Sequence, residues 1–397
     1  MPAQAAHYDV IVIGAGAAGL MTALTAGQRD KRVLLLEHTD TIGAKILISG
    51  GGRCNFTNLD IRPERFLSAN PHFARSALAR YDQHAFISLV RKHHIAFYEK
   101  TLGQLFCEGN GSARRIVEML LQECQAGNVE IQRSVTVQDV SKREHFVLQT
   151  TGGALSADAV VIASGGLSIP KLGATDFAYR IAKRFNVPIV APRPALVPLT
   201  FDPEDRAWMS ALAGVSVEAS VSAGATAFRE GLLFTHRGLS GPSILQVSSY
   251  WRQGEAIAVD FWPSGGLEAR LTDAKRAHPK AQAKAAFAGL WPERLATSLA
   301  QKLLPEARLA DMKDKDLLAV GTALRTFKLT PAGDEGYAKA EVTAGGVDTN
   351  ALDQKSMAVK ALPGLHFVGE AVDVTGWLGG YNFQWAWASG RAAGLAV

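Results

Sequence analysis

A glycine-punctuated turn, Val10-Ile11-Val12-Ile13-Gly14-Ala15-Gly16-Ala17-Ala18-Gly19, most constrains what this chain can fold into. Tyr8 to Ile13 is a short apolar run rich in β-branched residues, the pattern of a buried parallel strand. Gly14 permits a tight turn, Gly16 lets backbone approach a pyrophosphate, and Gly19 lets the next helix pack close to the strand. That helix is expected over about Ala17–Gln28, with Ala17 and Ala18 in its first turn. Its free N–H groups and positive dipole end would face the diphosphate. Val33–Leu36 reads as a second strand, and Glu37 closes it 18 residues past Gly19, where a carboxylate can accept ribose hydroxyls. Strand, glycines, helix and terminal acid together predict a dinucleotide-binding βαβ unit; a lone glycine pattern would not.

A distant segment narrows the choice of dinucleotide. Phe367-Val368-Gly369-Glu370 is followed by Gly379-Gly380-Tyr381-Asn382-Phe383 and an aromatic run ending at Gly390. A domain that binds only a nicotinamide nucleotide does not need so remote a segment to finish its site. The long ribityl–isoalloxazine arm of a flavin does, so the pairing predicts bound FAD. Two further glycine-rich stretches suit the same cofactor: the loop Ile48–Asn55, and the buried run Ala159–Ala163 that ends in Ser164-Gly165-Gly166.

The expected class is α/β, with a Rossmann-type domain interrupted by an insertion. Helical patterns cover residues 72–94 and 112–126, with strands near Val129–Val140 and Phe146–Thr150. Past Pro188 short β-like runs alternate with Gly and Pro turns, and residues 267–328 read as helices. The expected boundaries are 1–190 and 336–397 for the cofactor domain, 191–265 for a β-barrel-like module and 266–335 for a small helical one. No apolar run reaches the roughly 18 residues of a membrane helix, and residues 1–7 carry no signal-peptide pattern, so a cytoplasmic protein is expected. Cys54, Cys107 and Cys124 are far apart and lack metal-ligand spacing. The pair His93-His94 reads as a solvated helix end, and no metal site is expected. Gly238-Leu239-Ser240-Gly241 is one residue short of a nucleophile elbow.

Charge is unevenly placed. Residues 266–328 hold twelve Lys/Arg against seven Asp/Glu, a net of +5 that equals the formal charge of the whole chain. Residues 61–100 hold seven against three, a net of +4. Such regions attract a polyanion through phosphate neutralisation, although solvated helix faces have the same composition.

The stretches ILISGGGRCNFTN, LLFTHRGLSGPSIL, AEVTAGGVDTN and FVGEAVDVTGWLGGYNFQWAWASG, in that order, resemble the bacterial three-domain FAD flavoproteins of the BaiN/RdsA type (HI0933-like). The resemblance covers nearly the whole chain. It implies a glutathione-reductase-like FAD domain interrupted by a barrel-like and a helical module. The family includes a bile-acid enone reductase, an aminoacetone oxidase and a ribosomal-RNA dihydrouridine synthase; LLFTHRGLSGP, SSYW and GATDFAY look closest to the last branch. The resemblance implies that Gly14, Gly16, Gly19 and Glu37 hold the ADP half. Lys45 and the loop Ser49, Gly51, Gly52, Arg53, Cys54 and Asn55 would pass beside flavin and pyrophosphate. Val135 or Val137 would give a backbone contact to adenine. Gly369-Glu370 stands where related flavoproteins put an acid, usually Asp, on the ribityl chain. The helix from about Asn382, with Gly380, Tyr381 and Phe383, would aim its positive end at the flavin N1–C2 edge.

Reducing a conjugated C=C bond needs a hydride, which reduced flavin delivers from N5, and a proton for the neighbouring carbon. Cys54 is the first candidate acid, with an unperturbed pKa of about 8.5; its alternative is a buried packing thiol. His236 is the second, and its alternative is a structural histidine. Arg53 and Arg237 are candidates for the substrate side, or for bracing loops. With a single GxGxxG, a nicotinamide nucleotide, NADH or NADPH, would dock transiently as hydride donor. Three classes follow: uridine reduction in 23S ribosomal RNA or an assembly intermediate, a small-molecule enone reductase or amine oxidase, and a non-enzymatic flavin sensor.

Overall fold

The computed structural model describes residues 6–397, which divide into two compact units. The first comprises residues up to Pro194 together with Glu341–Val397, and the second is Ala195–Ala340.

The first unit is built around the strand Gly153–Ile162, whose second half is the start of the buried run expected at Ala159–Ala163. One of its edges pairs in parallel with β1 (Ala6–Ile13), from Ala6 opposite Leu155 to Ile13 opposite Ile162. Along its other edge, the first half pairs antiparallel with Phe146–Thr150 and the second half pairs in parallel with Leu365–Phe367. The sheet continues through β2 (Val33–Leu36) to Glu130–Gln132 beyond β1, and ends at Val137–Lys142 on the hairpin side. Val10, Ile11 and Val12 are buried on both faces, the burial expected of a covered parallel strand.

Helix α1 (Ala17–Gly27) is buried from Ala18 to Gly27. It packs against the last helix, Tyr381–Ala396, and small residues set the approach. A Cβ on Gly390 would collide with the Ala18 carbonyl, and one on Gly394 would lie 2.6 Å from Thr25 Cβ. Trp385 and Trp387 are fully buried, yet each indole N–H finds a carbonyl, Gly369 at 3.0 Å and Phe56 at 2.9 Å. Trp387 stacks on Phe86 at 4.3 Å and on Phe383 at 5.7 Å. The helical stretch 72–94 is two helices, Ala74–Arg80 and Gln83–Lys92, because Asp82 caps the second by accepting from the Ala85 amide. His93 is not a freely solvated end: Nε2 lies 2.6 Å from a carboxylate oxygen of Glu123, which Lys92 also reaches.

The second unit holds a seven-stranded antiparallel sheet. Its order is Phe327–Leu329, Ile257–Asp260, Ser216–Ala223, Thr226–Phe234, Gly238–Ser240, Leu199–Thr200, Gly333–Asp334. Both outer strands follow the helices Leu267–Ala277, Glu293–Leu303 and Asp314–Arg325 in sequence. A boundary at residue 265 therefore cuts through one sheet, and sheet and helices share one unit. No helix among the described residues is long and apolar enough to cross a membrane.

The fit of the last helix on α1 leaves no room for a methyl group. Gly390→Ala should lower the denaturation midpoint by the equivalent of about 1–3 kcal/mol, the usual cost of overpacking. An unchanged midpoint in urea would show that the helices can separate freely.

Candidate cofactor site

The turn after β1 takes the conformation its glycines predict. Gly14 has φ +105°, and its amide donates to the Leu36 carbonyl at 2.8 Å, tying the turn to the end of β2. A Cβ on Gly14 would lie 2.6 Å from the Ala163 carbonyl, and one on Gly19 would strike the Gly14 carbonyl. A Cβ on Gly16, by contrast, meets nothing within 4 Å. Two glycines are thus required by packing, whereas Gly16 faces open space at the head of α1, with Ala17 and Ala18 in the first turn.

Glu37 reaches back into this turn. One carboxylate oxygen accepts from the Ala15 amide at 2.9 Å; the other accepts from the Thr39 amide at 2.9 Å and lies 2.9 Å from His38 Nδ1. Burial alone would raise its pKa, but the bonds from His38 and the Thr39 and Ala15 amides outweigh burial and hold it at about 2. The acid is therefore ionised, and the oxygen with one donor keeps lone-pair capacity for a sugar hydroxyl. The Val135 amide is spent on the Glu37 carbonyl at 3.0 Å. Val137, the other valine expected at adenine, opens the strand Val137–Lys142 and pairs with Thr150.

Ser164 and Gly165 follow the strand Gly153–Ile162. The Ser164 hydroxyl oxygen is buried and has no hydrogen-bond partner, and a Cβ on Gly165 would meet nothing within 4 Å. An unspent polar atom beside an open glycine fits a polar cofactor there. Gly166 is different: Thr343 and Glu370 crowd it, at 2.5 Å and 2.9 Å from a would-be Cβ.

That crowding marks a network that sequence reasoning missed. Lys45 Nζ lies 2.5 Å from both a Glu370 carboxylate oxygen and Ser168 Oγ. The other Glu370 oxygen accepts from Ser168 Oγ at 2.6 Å and from the Thr343 amide at 3.0 Å. Thr343 Oγ1 in turn accepts from the amides of Leu167 and Ser168, at 2.8 and 3.1 Å. The charge of Lys45 is thus paired with Glu370, not left free for phosphate. The extra methylene of Glu over Asp carries the carboxylate to this network. Ser168, in the bend after the strand Gly153–Ile162, is fully buried, and Thr343, in the strand Val342–Val347, is 1% exposed; neither stands in a motif that announces the network.

The segment α2 (Ala44–Gly52) breaks from helical geometry at Ser49 and turns through Gly50, Gly51 and Gly52 at φ +56°, +65° and +81°. Gly51 is open, while a Cβ on Gly50 would press on the Phe106 ring. Ser49 Oγ donates to the Ile46 carbonyl at 2.9 Å. Arg53 braces the loop: its guanidinium reaches Tyr98 Oη at 3.2 Å and lies over Phe106. Cys54 has no exposed surface, and desolvation drives its thiol pKa strongly upward. Protein atoms enclose it, so the expectation of a reacting acid gives way to a packing thiol.

Asn55 opens β3 (Asn55–Asn58), and Gly380 at φ +97° lies against this strand: a Cβ there would strike the Thr57 carbonyl. The head of the last helix therefore packs on the backbone of β3. Its side chains are otherwise engaged. The Tyr381 hydroxyl bonds to Arg65 and to the Asp60 carbonyl. The Asn382 amide ties down the Gly376 backbone, with bonds of 2.8 and 2.9 Å. Phe383 stacks on Trp387. The side chains of Tyr381, Asn382 and Phe383 thus have structural partners, and the backbone at this helix start is what remains for the flavin contact expected there. Gly369, at φ +64°, crowds Ala18, so this segment adjoins the first turn of α1.

His236 and Arg237 belong to the second unit, exposed in the turn between strands Thr226–Phe234 and Gly238–Ser240. His236 Nδ1 lies 3.4 Å from Ser210 Oγ, and Arg237 pairs with Glu335 at 3.3 Å.

A family model described as "HI0933-like protein Rossmann domain" matches residues 8–396. A ribosomal RNA dihydrouridine synthase of Escherichia coli (strain K12) is 48% identical over 97% of this chain and 97% of its own length. A protein of the same name from Haemophilus influenzae (strain ATCC 51907 / DSM 11121 / KW20 / Rd) is 42% identical over 98% of each chain. A 3-dehydro-bile acid delta(4,6)-reductase of Clostridium scindens (strain ATCC 35704 / DSM 5676 / VPI 13733 / 19) is 30% identical over 97% of this chain and 98% of its own.

Two outcomes follow from the geometry. Gly16→Val should stay folded by circular dichroism yet purify with little or no yellow absorbance near 450 nm; full flavin content would show that Gly16 does not face the cofactor. Glu37 has a folded pKa of about 2 against 4.5 unfolded. Its contribution is whole above pH 4.5 and is lost as pH falls toward 2. Glu37→Gln should be less stable than the parent at pH 7 but lose less stability on acidification through that window, measured by urea midpoints.

Proposed function

We propose, from the premise that the chain belongs to the HI0933-like family, that it is an FAD enzyme reducing a uridine of 23S ribosomal RNA to dihydrouridine. The observation that carries this reading is whole-length identity of 48% and 42% to two proteins named for that activity. Over lengths of 389 and 398 residues, the matches extend across both units.

FAD, when bound, would supply hydride chemistry, with NADH or NADPH docking transiently as the hydride donor. The protein's own residues do the rest. Gly14, Gly16 and the first turn of α1 receive the diphosphate on backbone N–H groups, and Glu37 accepts from the adenosine ribose. Val137 gives adenine a backbone contact. Ser164, Gly165 and the Gly51–Asn55 loop border the flavin, with Ser164 Oγ free to donate. Glu370 acts through the loop it braces with Lys45, Ser168 and Thr343. The N-terminus of the last helix, at Gly380 and Tyr381, offers backbone donors where negative charge develops on reduction. A C=C reduction also needs a proton, and His236, exposed in its turn, is the remaining acid candidate, with Arg237 beside it for the substrate.

The polyanionic substrate suits the basic stretches 61–100 and 266–328, and a ribosome assembly intermediate in the cytoplasm would meet both. The 30% relative keeps a second reading in view: reduction of a conjugated double bond in a small enone, with the same flavin edge.

Mass-spectrometric mapping of ribosomal RNA from a strain lacking the gene decides between them. We expect one dihydrouridine to disappear and to return with the wild-type gene but not with Gly16→Val. An unchanged map would favour the small-molecule reaction.

A further inference from the structure

We propose that His7, His145 and Asp158 form a site for a divalent transition cation of the Zn2+ class, on the end of the central sheet remote from the dinucleotide turn. The parallel register sets His7 opposite Ser156, and strand residues two apart share a face, so Asp158 lies on the same side as His7. His145 comes from the turn between Val137–Lys142 and Phe146–Thr150, where the Arg143 amide donates to its carbonyl at 3.0 Å.

The three side chains converge on one point. His145 Nδ1 lies 2.7 Å from Asp158 Oδ1 and His7 Nε2 lies 3.3 Å from the same oxygen. One ligand atom from each residue falls within 4.8 Å of the others. Zinc bonds of about 2.0–2.2 Å in a tetrahedron set ligand atoms roughly 3.3 Å apart. The His7 distance matches that spacing, the shorter His145 distance must open slightly, and the two imidazole nitrogens must stay close enough to share the ion. Their rings meet edge-on at 4.8 Å, and the side chains are 42%, 46% and 55% exposed, which leaves them free to rotate.

The chemistry selects the ion. Two imidazoles and one carboxylate suit Zn2+, Ni2+ or Cu2+ better than Mg2+ or Ca2+, which take all-oxygen shells. Ser156 Oγ holds His7 Nδ1 at 3.0 Å, the outer hydrogen bond that fixes a ligating histidine's orientation, and turns Nε2 to the carboxylate. Three protein ligands leave a position for water, so the ion exchanges with solution. His7 stands seven residues before Gly14 along β1, about 23 Å at 3.3 Å per residue, too far to join the cofactor chemistry. Bound there, the ion joins β1 and Gly153–Ile162 to the hairpin turn and favours the folded state by mass action.

The test is calorimetric titration of ZnCl2 into tag-free, FAD-loaded protein stripped with EDTA. We expect one equivalent to bind and to raise Tm, with affinity reduced more than tenfold in His145→Ala and in Asp158→Asn and unaltered in His93→Ala. Flavin content checks that each variant is folded. Copper(II) in place of zinc should give an electron paramagnetic resonance spectrum split by two nitrogens. No saturable binding by the parent protein, or affinity unchanged in both site variants, would overturn the proposal.

Discussion

The close approach of α1 and the last helix is the contact on which the cofactor site depends. One helix begins at the dinucleotide turn and the other at the glycines beside β3, and they are buried against each other only because Gly390 and Gly394 carry no side chain. Trp385 then ties the last helix to Gly369, whose backbone crowds Ala18 at the head of α1. Segments some 350 residues apart in sequence are thus brought to one place by apolar packing and two or three directed hydrogen bonds. The positive ends of both helices gain their use from that placement.

Electrostatics within the site follow the same economy. Glu37 and Glu370 are both carboxylates drawn among donors, yet they serve different ends. Glu37 is held ionised by two amides and an imidazole, with an oxygen still able to accept. Glu370 has spent both oxygens on Lys45, Ser168 and Thr343, and holds three chain segments in register. Breaking such a partly buried pair leaves the remaining charge uncompensated, and the cost falls on the geometry of the loops it braces.

The α/β class and the strand–turn–helix unit were legible because their signals are local: β-branched residues at Val10–Ile13, glycines at fixed offsets, and an acid closing β2. The FAD assignment came from reading two remote segments together, which a resemblance over the whole length supported. Contacts that depend on register or on side-chain direction were not legible. Lys45 and Glu370 are 325 positions apart, and nothing in either neighbourhood announces that they pair. Cys54 lies in a glycine loop that reads as open, but the loop's left-handed turn folds the thiol inward. Tyr381 and Asn382 stand at the expected helix start, where neighbouring loops claim their side chains, while Phe383 stacks on Trp387 of the same helix. The His7, His145 and Asp158 cluster shows no spacing motif, since the parallel register with β1 and the antiparallel register with Phe146–Thr150 together assemble it.

The discontinuity of the first unit has a consequence for how the polypeptide matures. Pro194 leaves the ribosome 203 positions before Val397, an interval of roughly 10–40 s at ordinary elongation rates. Throughout that wait the apolar faces of α1 and β1 lack the last helix and the strand Leu365–Phe367. The Ala195–Ala340 unit, complete in itself, can meanwhile finish folding on the nascent chain. Flavin capture must then wait until the last helix has emerged, and until that point the uncovered faces are open to aggregation.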